Sequence, residues 1–479
     1  MSKQKDIGYY VHSLIGIAIM FGFGHIVPPE PITAIGMQAL GIFLGLIYLW
    51  SFVGTLWPSL LGLVALGLSE YSNMSNVLTM SIGNDIVVQI IFIMALVGAL
   101  EYWGITNHIA QWFITRKVNQ GRPWIFSFMF ILATYTLAAL TNAMTTIVLA
   151  WSILYDILEK LNYKKGDKYS VIMVVGVIYA SCLGLAALPF KSVPLIILGA
   201  FQKASGLQVD YLQYMVLVIS ISLICLTIYI LIAAFVIKPD VTLLKNADIE
   251  IFGKLEKLDN QQKIVSAVMV VCILAMLVPS ILPKTVGLTI LLNKMSATGI
   301  VIAGVIVLVL WKYEGTPLLN FKRIAGETIA WDLVFLAAAA MAVSSAMTAE
   351  ETGIKAFLQQ ILLPIFSGKT PLMFLFTLIV LSMILTNIMN NAVVGLIFMP
   401  IVYSISMEIG GNSIAAAVLI TLCLHVALLT PAASPSGALL HGNREWVPAK
   451  QAYLYSILLV LISFFVVVIY GIPVSNIIF

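Results

Sequence analysis

Apolar runs of about 20 residues, the length a helix needs to cross a bilayer, recur along this 479-residue chain from one end to the other. Because 61% of residues are hydrophobic and only 10% charged, no stretch remains for a separate aqueous domain. Lipid offers backbone groups no hydrogen-bond partner, which leaves helices or a closed barrel, and runs of this length select helices. The fold class is an all-α polytopic membrane protein. Spans are predicted near 8–27, 34–51, 53–69, 83–103, 168–201, 211–237, 264–282, 296–311, 328–349, 413–440 and 451–472, eleven crossings in all.

Two further apolar blocks, 123–159 and 370–408, are too long for one crossing and carry polar residues at their centres. They contain one phrase twice: Leu140-Thr141-Asn142-Ala143-Met144 and Leu385-Thr386-Asn387-Ile388-Met389. A polar interruption at membrane depth survives where it faces protein or a water-filled cavity, usually a transport site. Each block is expected to be a helical hairpin that enters and leaves on one side. Lysine and arginine placement sets orientation. With a cytoplasmic N-terminus, nineteen fall on the cytoplasmic side, including Lys3, Lys5 and Lys254, against Lys203, Lys284, Lys294, Lys355 and Lys369 opposite. This predicts an inward first hairpin, an outward second one and a C-terminus outside. The first apolar run follows Lys3 and Lys5 without a small-residue cleavage signature, and reads as a retained helix in the cell membrane.

The hairpins belong to a longer repeat. Asp85 and Asp332 open apolar spans 247 residues apart, Gly104 and Gly353 lie 249 apart, and Asn142 and Asn387 lie 245 apart. The proline pairs that break the following helix, Pro189 with Pro194 and Pro431 with Pro435, keep the order at 242 and 241. An odd number of crossings between the copies makes the second inverted, which places a binding site at the midplane between them. The organisation is then 1–80 N-terminal scaffold helices, 81–240 first inverted repeat, 241–327 cytoplasmic linker and connecting helices, and 328–472 second inverted repeat.

Helix ends exposed at the tips and breaks carry free N–H groups and partial positive charge, which favour an anion. Around them stand Thr141, Asn142, Thr145, Thr146, Thr386, Asn387, Asn390, Asn391, Thr430, Ser434 and Ser436, neutral hydrogen-bonding groups with no carboxylate. The ionisable residue at depth is Lys191, between Pro189 and Pro194, whose repeat mate by the prolines is about Ala433; it requires an anionic partner or aqueous access. Asn and Thr in membrane helices also bond neighbouring helices, and Lys191 has the alternative of snorkelling to an interface. His425 reads as a proton relay or a helix–helix hydrogen bond. Asp85, Glu101, Asp332, Glu350 and Glu351 sit near span ends, where solvated or capping roles are expected. Cys182, Cys225, Cys272 and Cys423 lack metal-ligand spacing and read as packing residues. Nucleic-acid binding is not indicated.

These residues resemble the divalent anion/sodium symporter (DASS) family of the ion transporter superfamily, over roughly residues 80 to 472. Thr141-Asn142-Ala143 and Thr386-Asn387-Ile388 match the family's Ser-Asn-Thr tips, and Leu188-Pro189 through Pro194 and Thr430-Pro431 through Pro435 match its helix breaks. The resemblance implies a homodimer with a scaffold domain and a transport domain that moves as an elevator, carrying dicarboxylates, tricarboxylates or sulfate, often with sodium. Two departures stand out. The third tip residue, a threonine in the family, is Ala143 or Ile388 here, and Lys191 occupies the break beside the family's first sodium site, where its ammonium would replace a bound cation.

The expectation is a secondary transporter of small organic anions, di- or tricarboxylates such as citrate, and not an enzyme. It is sodium-coupled, a sodium-independent exchanger or proton-coupled. Substrate contacts are assigned to Thr141, Asn142, Ala143, Thr145, Lys191, Thr386, Asn387, Asn390, Asn391, Pro431 and Ser434, and candidate sodium ligands to Thr141, Asn142, Thr386 and Asn387. No other cofactor is expected. The alternatives are a sulfate-like inorganic anion transporter or a sodium/proton antiporter; the antiporter, like other cation carriers, calls for buried Asp or Glu near the breaks. A membrane-embedded enzyme would need a metal or nucleophile cluster that His425 alone does not supply.

Overall fold

The computed structural model describes residues 7–247, 257–366, 370–431 and 433–479; Lys3, Lys5, Lys254 and Lys369, used for orientation, lie outside them. The chain opens with α1 (Ile7–Gly22), α2 (Ala34–Phe52), α3 (Leu56–Leu68) and α4 (Met74–Met80). A first series follows: α5 (Asp85–Tyr102), α6 (Ile105–Ile114), α7 (Pro123–Leu140), α8 (Ala143–Lys160), α9 (Lys168–Ala186), α10 (Ser192–Ser205) and α11 (Tyr211–Ile232). Then come α12 (Thr242–Lys245), α13 (Asn260–Ile281), α14 (Gly287–Leu310), an antiparallel pair β1 (Lys312–Tyr313) and β2 (Thr316–Pro317), and α15 (Phe321–Glu327). The second series is α16 (Trp331–Thr348), α17 (Ile354–Phe366), α18 (Pro371–Thr386), α19 (Asn391–Glu408), α20 (Ser413–Leu424), α21 (Pro435–Gly442) and α22 (Ala449–Val466), and α23 (Ile472–Ile478) ends the chain.

The two series match through the signals that start and stop their helices. Pro123 and Pro371 each occupy the first turn of α7 and α18, where a missing N–H costs nothing. Gly104 and Gly353 sit at φ 65° and 66° before α6 and α17, a left-handed turn that a side chain would strain. Both α11 and α22 run into a π-helical turn, Ala233–Ile237 and Val467–Gly471.

Among the described residues, eleven helices are long and apolar enough to cross a bilayer, the expected number but a different set. The hairpin arms α7 and α19 qualify, whereas α3 and α20, at 13 and 12 residues, are short. At 1.5 Å per residue these two reach less than about 20 Å, against roughly 30 Å of hydrocarbon. The crossing expected at 296–311 corresponds to the part of α14 beyond a kink at Ser296, whose φ of 56° interrupts the helix.

Burial orders the layers. The segment of α9 is 94% buried and forms the centre, while those of α1 and α13 are 17% and 22% buried and turn apolar side chains such as Leu14 and Val271 outward. Both α7 and α8 pack on α9. The two series are interlocked: α3, before the first, packs on α16 of the second, and α14, before the second, packs on α5 of the first. The most extensive contact between the series joins α10 to α19 and rests on Gly395, where a Cβ would lie 2.5 Å from Ile197 Cγ1.

Gly395→Leu is therefore expected to separate α10 from α19 and cost about 1–3 kcal/mol of stability. Gly22→Ala, on an unpacked face of α1, should leave the melting temperature in detergent within error of the parent. Equal melting of the two variants would contradict this packing.

Candidate functional site

A cavity of about 220 Å³ lies where the tips and the breaks meet. Four helix N-termini line it: α8 through Asn142 and Ala143, α10 through Lys191 and Ser192, α19 through Asn390 and Asn391, and α21 through Ser434 and Pro435. Sequence accounts for each start. Asn142 Oδ1 accepts the Met144 N–H at 2.8 Å, Asn390 Oδ1 accepts that of Ala392 at 3.0 Å, and Ser434 Oγ accepts that of Gly437 at 3.0 Å. The start of α10 differs. Its N-cap is Lys191, whose side chain makes no cap, so the first N–H groups of this helix lack a side-chain acceptor.

These caps pair the two series in a different register from the repeated phrase. The mate of Asn142 is Asn390, 248 residues on, the spacing that also separates Pro123 from Pro371. The doubled Thr-Asn phrase had pointed to Asn387. Two residues join α7 to α8 and four join α18 to α19, which leaves Asn387 as the C-cap of α18. The position matching Ala143 is then Asn391, so the second tip keeps a polar third residue in place of the apolar Ile388. Lys191 matches Ser434, the N-cap of α21, and not Ala433.

Of the expected contact residues, Thr141, Asn142, Ala143, Lys191, Asn390, Asn391 and Ser434 line the cavity; Thr145, Thr386, Asn387 and Pro431 do not. Asn387 is a buried clasp. Its Oδ1 accepts the N–H groups of Leu428 (2.8 Å) and Leu429 (2.7 Å), and its Nδ2 donates to the carbonyls of Met383 (2.7 Å) and Val426 (3.3 Å). Both lone pairs of Oδ1 are occupied, so the Asn387 side chain offers no sodium ligand as placed, while its backbone carbonyl accepts the Thr430 hydroxyl at 2.9 Å. Thr386 donates to the Leu424 carbonyl at 2.7 Å, fastening the second tip to the end of α20. Thr141 and Thr146 share a hydrogen bond of 3.0 Å within the first tip.

Lys191 is 6% exposed and donates to the carbonyl of Thr141, the C-cap of α7. A cation there complements the negative end of that helix, and two ammonium hydrogens remain for a ligand. The nearby anionic charge is Glu101, which makes no direct ion pair with Lys191 among the described residues. At the end of α5, Glu101 Oε1 accepts the Asn142 N–H at 3.1 Å, and its carboxylate lies within electrostatic reach of Lys191. A carboxylate therefore does stand at the first tip, though it does not line the cavity. Glu101 was legible only as a residue near a span end, because its contact with Asn142 crosses 41 residues of sequence.

The segment just past α21 is tied to α8 and the residues after it. Asn443 Nδ2 donates to Tyr155 Oη at 2.6 Å, the Tyr155 ring stacks on Trp446 at 4.5 Å and 3°, and Lys165 pairs with Glu445. Tips and breaks of both series thus form one connected body around the cavity.

The sequence profile of the CitMHS family, described as citrate transporter, matches residues 46–293, more than half of the chain. An uncharacterized transporter of Methanocaldococcus jannaschii, MJ0672, is 22% identical over 369 residues, 76% of this chain and 78% of that protein. The crystal structure of the Alcanivorax borkumensis YdaH transporter, reported as having an unusual topology, superposes with a TM-score of 0.62 at 12% identity over 98% of both chains, a likeness of fold.

Asn387→Ala should leave the buried Leu428 N–H and the part-buried Leu429 N–H unpaired, the buried one alone at about 1–3 kcal/mol, whereas Asn390→Ala removes a cap worth about 1 kcal/mol. Thermal melts should rank them in that order. A larger loss for Asn390→Ala would contradict the assignment of Asn387 as the clasp.

Proposed function

This chain belongs to the CitMHS family of citrate transporters, a membrane transport protein and not an enzyme, and we propose that it carries small organic anions, di- or tricarboxylates, by alternating access. The observation that carries this reading is the convergence of four helix N-termini and Lys191 on one cavity. Partial positive charge at each helix end stabilises an anion, and at membrane depth little water screens it. The cavity is smaller than the roughly 300–1,000 Å³ of drug-sized sites, a scale that suits a compact acid. Citrate, named in the family's description, is the leading substrate.

In this mechanism a carboxylate of the substrate accepts from Lys191 and from the uncapped N–H groups of α10, and a second carboxylate lies against the tips at Asn142 and Asn390. Glu101 holds the first tip through the Asn142 N–H and sets negative charge near Lys191. The ammonium supplies the positive charge that a sodium ion would otherwise bring, and the filled lone pairs of Asn387 argue against a sodium ion at the second tip. Transport is then independent of sodium. The tips and breaks move together as the elevator body against scaffold helices α1–α4 and α13–α14, with each tip, a re-entrant hairpin of an inverted repeat, facing opposite sides of the membrane. The outward apolar faces of α1 and α13 serve lipid contact and a homodimer interface. The N-terminus is cytoplasmic and the C-terminus outside.

Purified protein in liposomes should exchange labelled citrate, malate or succinate, equally well in sodium and in choline. Lys191→Gln should lower the rate about 10- to 100-fold, the worth of a hydrogen bond to a charged group, with Lys191→Arg less affected. Absence of uptake across a broad anion panel would overturn the proposal. Uptake that requires sodium would overturn the role given to Lys191.

A further inference from the structure

His425 is the C-cap of α20, 2% exposed, and it lines the same cavity. Its Nδ1 lies 2.7 Å from the carbonyl of Thr421, one turn earlier. A carbonyl has no hydrogen to give, so Nδ1 carries the ring proton and Nε2 of the neutral imidazole is a bare acceptor. That Nε2 has no hydrogen-bond partner among the described residues. His441, the other histidine at this break, places its Nε2 3.0 Å from the Leu428 carbonyl and is accounted for by packing.

His425 lines the ligand cavity while its Nε2 is buried from solvent, and an unpaired buried acceptor at such a wall selects for a donor. A carboxylate oxygen is itself an acceptor and gains nothing from Nε2; an alcohol hydrogen does. We infer that His425 Nε2 accepts the hydroxyl of the substrate, making the protein selective for hydroxy di- and tricarboxylates over the same acids lacking that hydroxyl. This rests on the anion-transport reading above and sharpens it: Lys191 and the helix ends hold carboxylates, and His425 reads the hydroxyl between them. Sites built to bond a substrate hydroxyl discriminate because the analogue leaves their own polar group unpaired.

The test is thermal stabilisation of the purified full chain by matched pairs at pH 7.5: malate with succinate, and citrate with propane-1,2,3-tricarboxylate. The hydroxy acid of each pair should half-saturate at about tenfold lower concentration, the fold-change of one hydrogen bond lost with its acceptor left buried. His425→Phe should bring that ratio close to one, and His425→Gln, whose amide oxygen also accepts, should keep part of it. If neither variant folds, the wild-type ratios alone decide. Equal half-saturation within both pairs overturns the assignment, as does a ratio that survives His425→Phe. Parallel tightening of all four acids as pH falls to 5.5, lost in His425→Phe, would overturn it in favour of an imidazolium–carboxylate pair. Failure of every acid to stabilise the protein would overturn the anion reading itself and the hydroxyl assignment with it.

Discussion

Everything in this fold follows from one constraint: a helix that ends inside the hydrocarbon must find partners for its open backbone groups within the protein. On the reading that the two tips and two breaks end helices there, the protein supplies partners for most of these ends, the start of α10 excepted. Asn142, Asn390 and Ser434 cap their own helices, Lys191 and Thr386 close on carbonyls of α7 and α20, and Asn387 takes two N–H groups of the second break. The ends left pointing inward are N-termini. Their convergence gives the cavity a positive character that does not depend on any one side chain.

Against that shared background, Lys191 breaks the equivalence of the two series. Its mate is Ser434, which caps α21 in the ordinary way, while Lys191 gives up the cap and reaches the first tip instead. The exchange places a formal charge on one side of the cavity and Glu101 behind it. The cavity is thereby asymmetric, with Lys191 on the side of the first series and His425 on the side of the second, and the proposed carboxylate site falls at the former.

Much of this was legible in the sequence because its signals are local. Prolines at helix starts, glycines at left-handed turns and asparagines at caps each act within a few residues, and they located the spans, tips and breaks close to where the helices end. The register of the second tip was not legible. The repeated Thr-Asn phrase is a match of letters, and the longer connection from α18 to α19 moves Asn387 out of the cavity and brings Asn390 and Asn391 in. Glu101 and the tautomer of His425 were hidden for a related reason. Each is set by what the side chain meets, Asn142 across 41 residues of sequence and the Thr421 carbonyl one turn back, and spacing alone does not report either.

The central claim is that a substrate carboxylate sits against Lys191 at the meeting of the four helix ends. Solid-state NMR on the reconstituted protein, with nitrogen-15 in the lysine side chains and carboxyl-carbon-13 citrate bound, measures that distance directly. The account predicts dipolar dephasing from one lysine at ion-pair range, about 4 Å, that disappears in Lys191→Gln. Dephasing that persists in the variant, or none with citrate demonstrably bound, would contradict it.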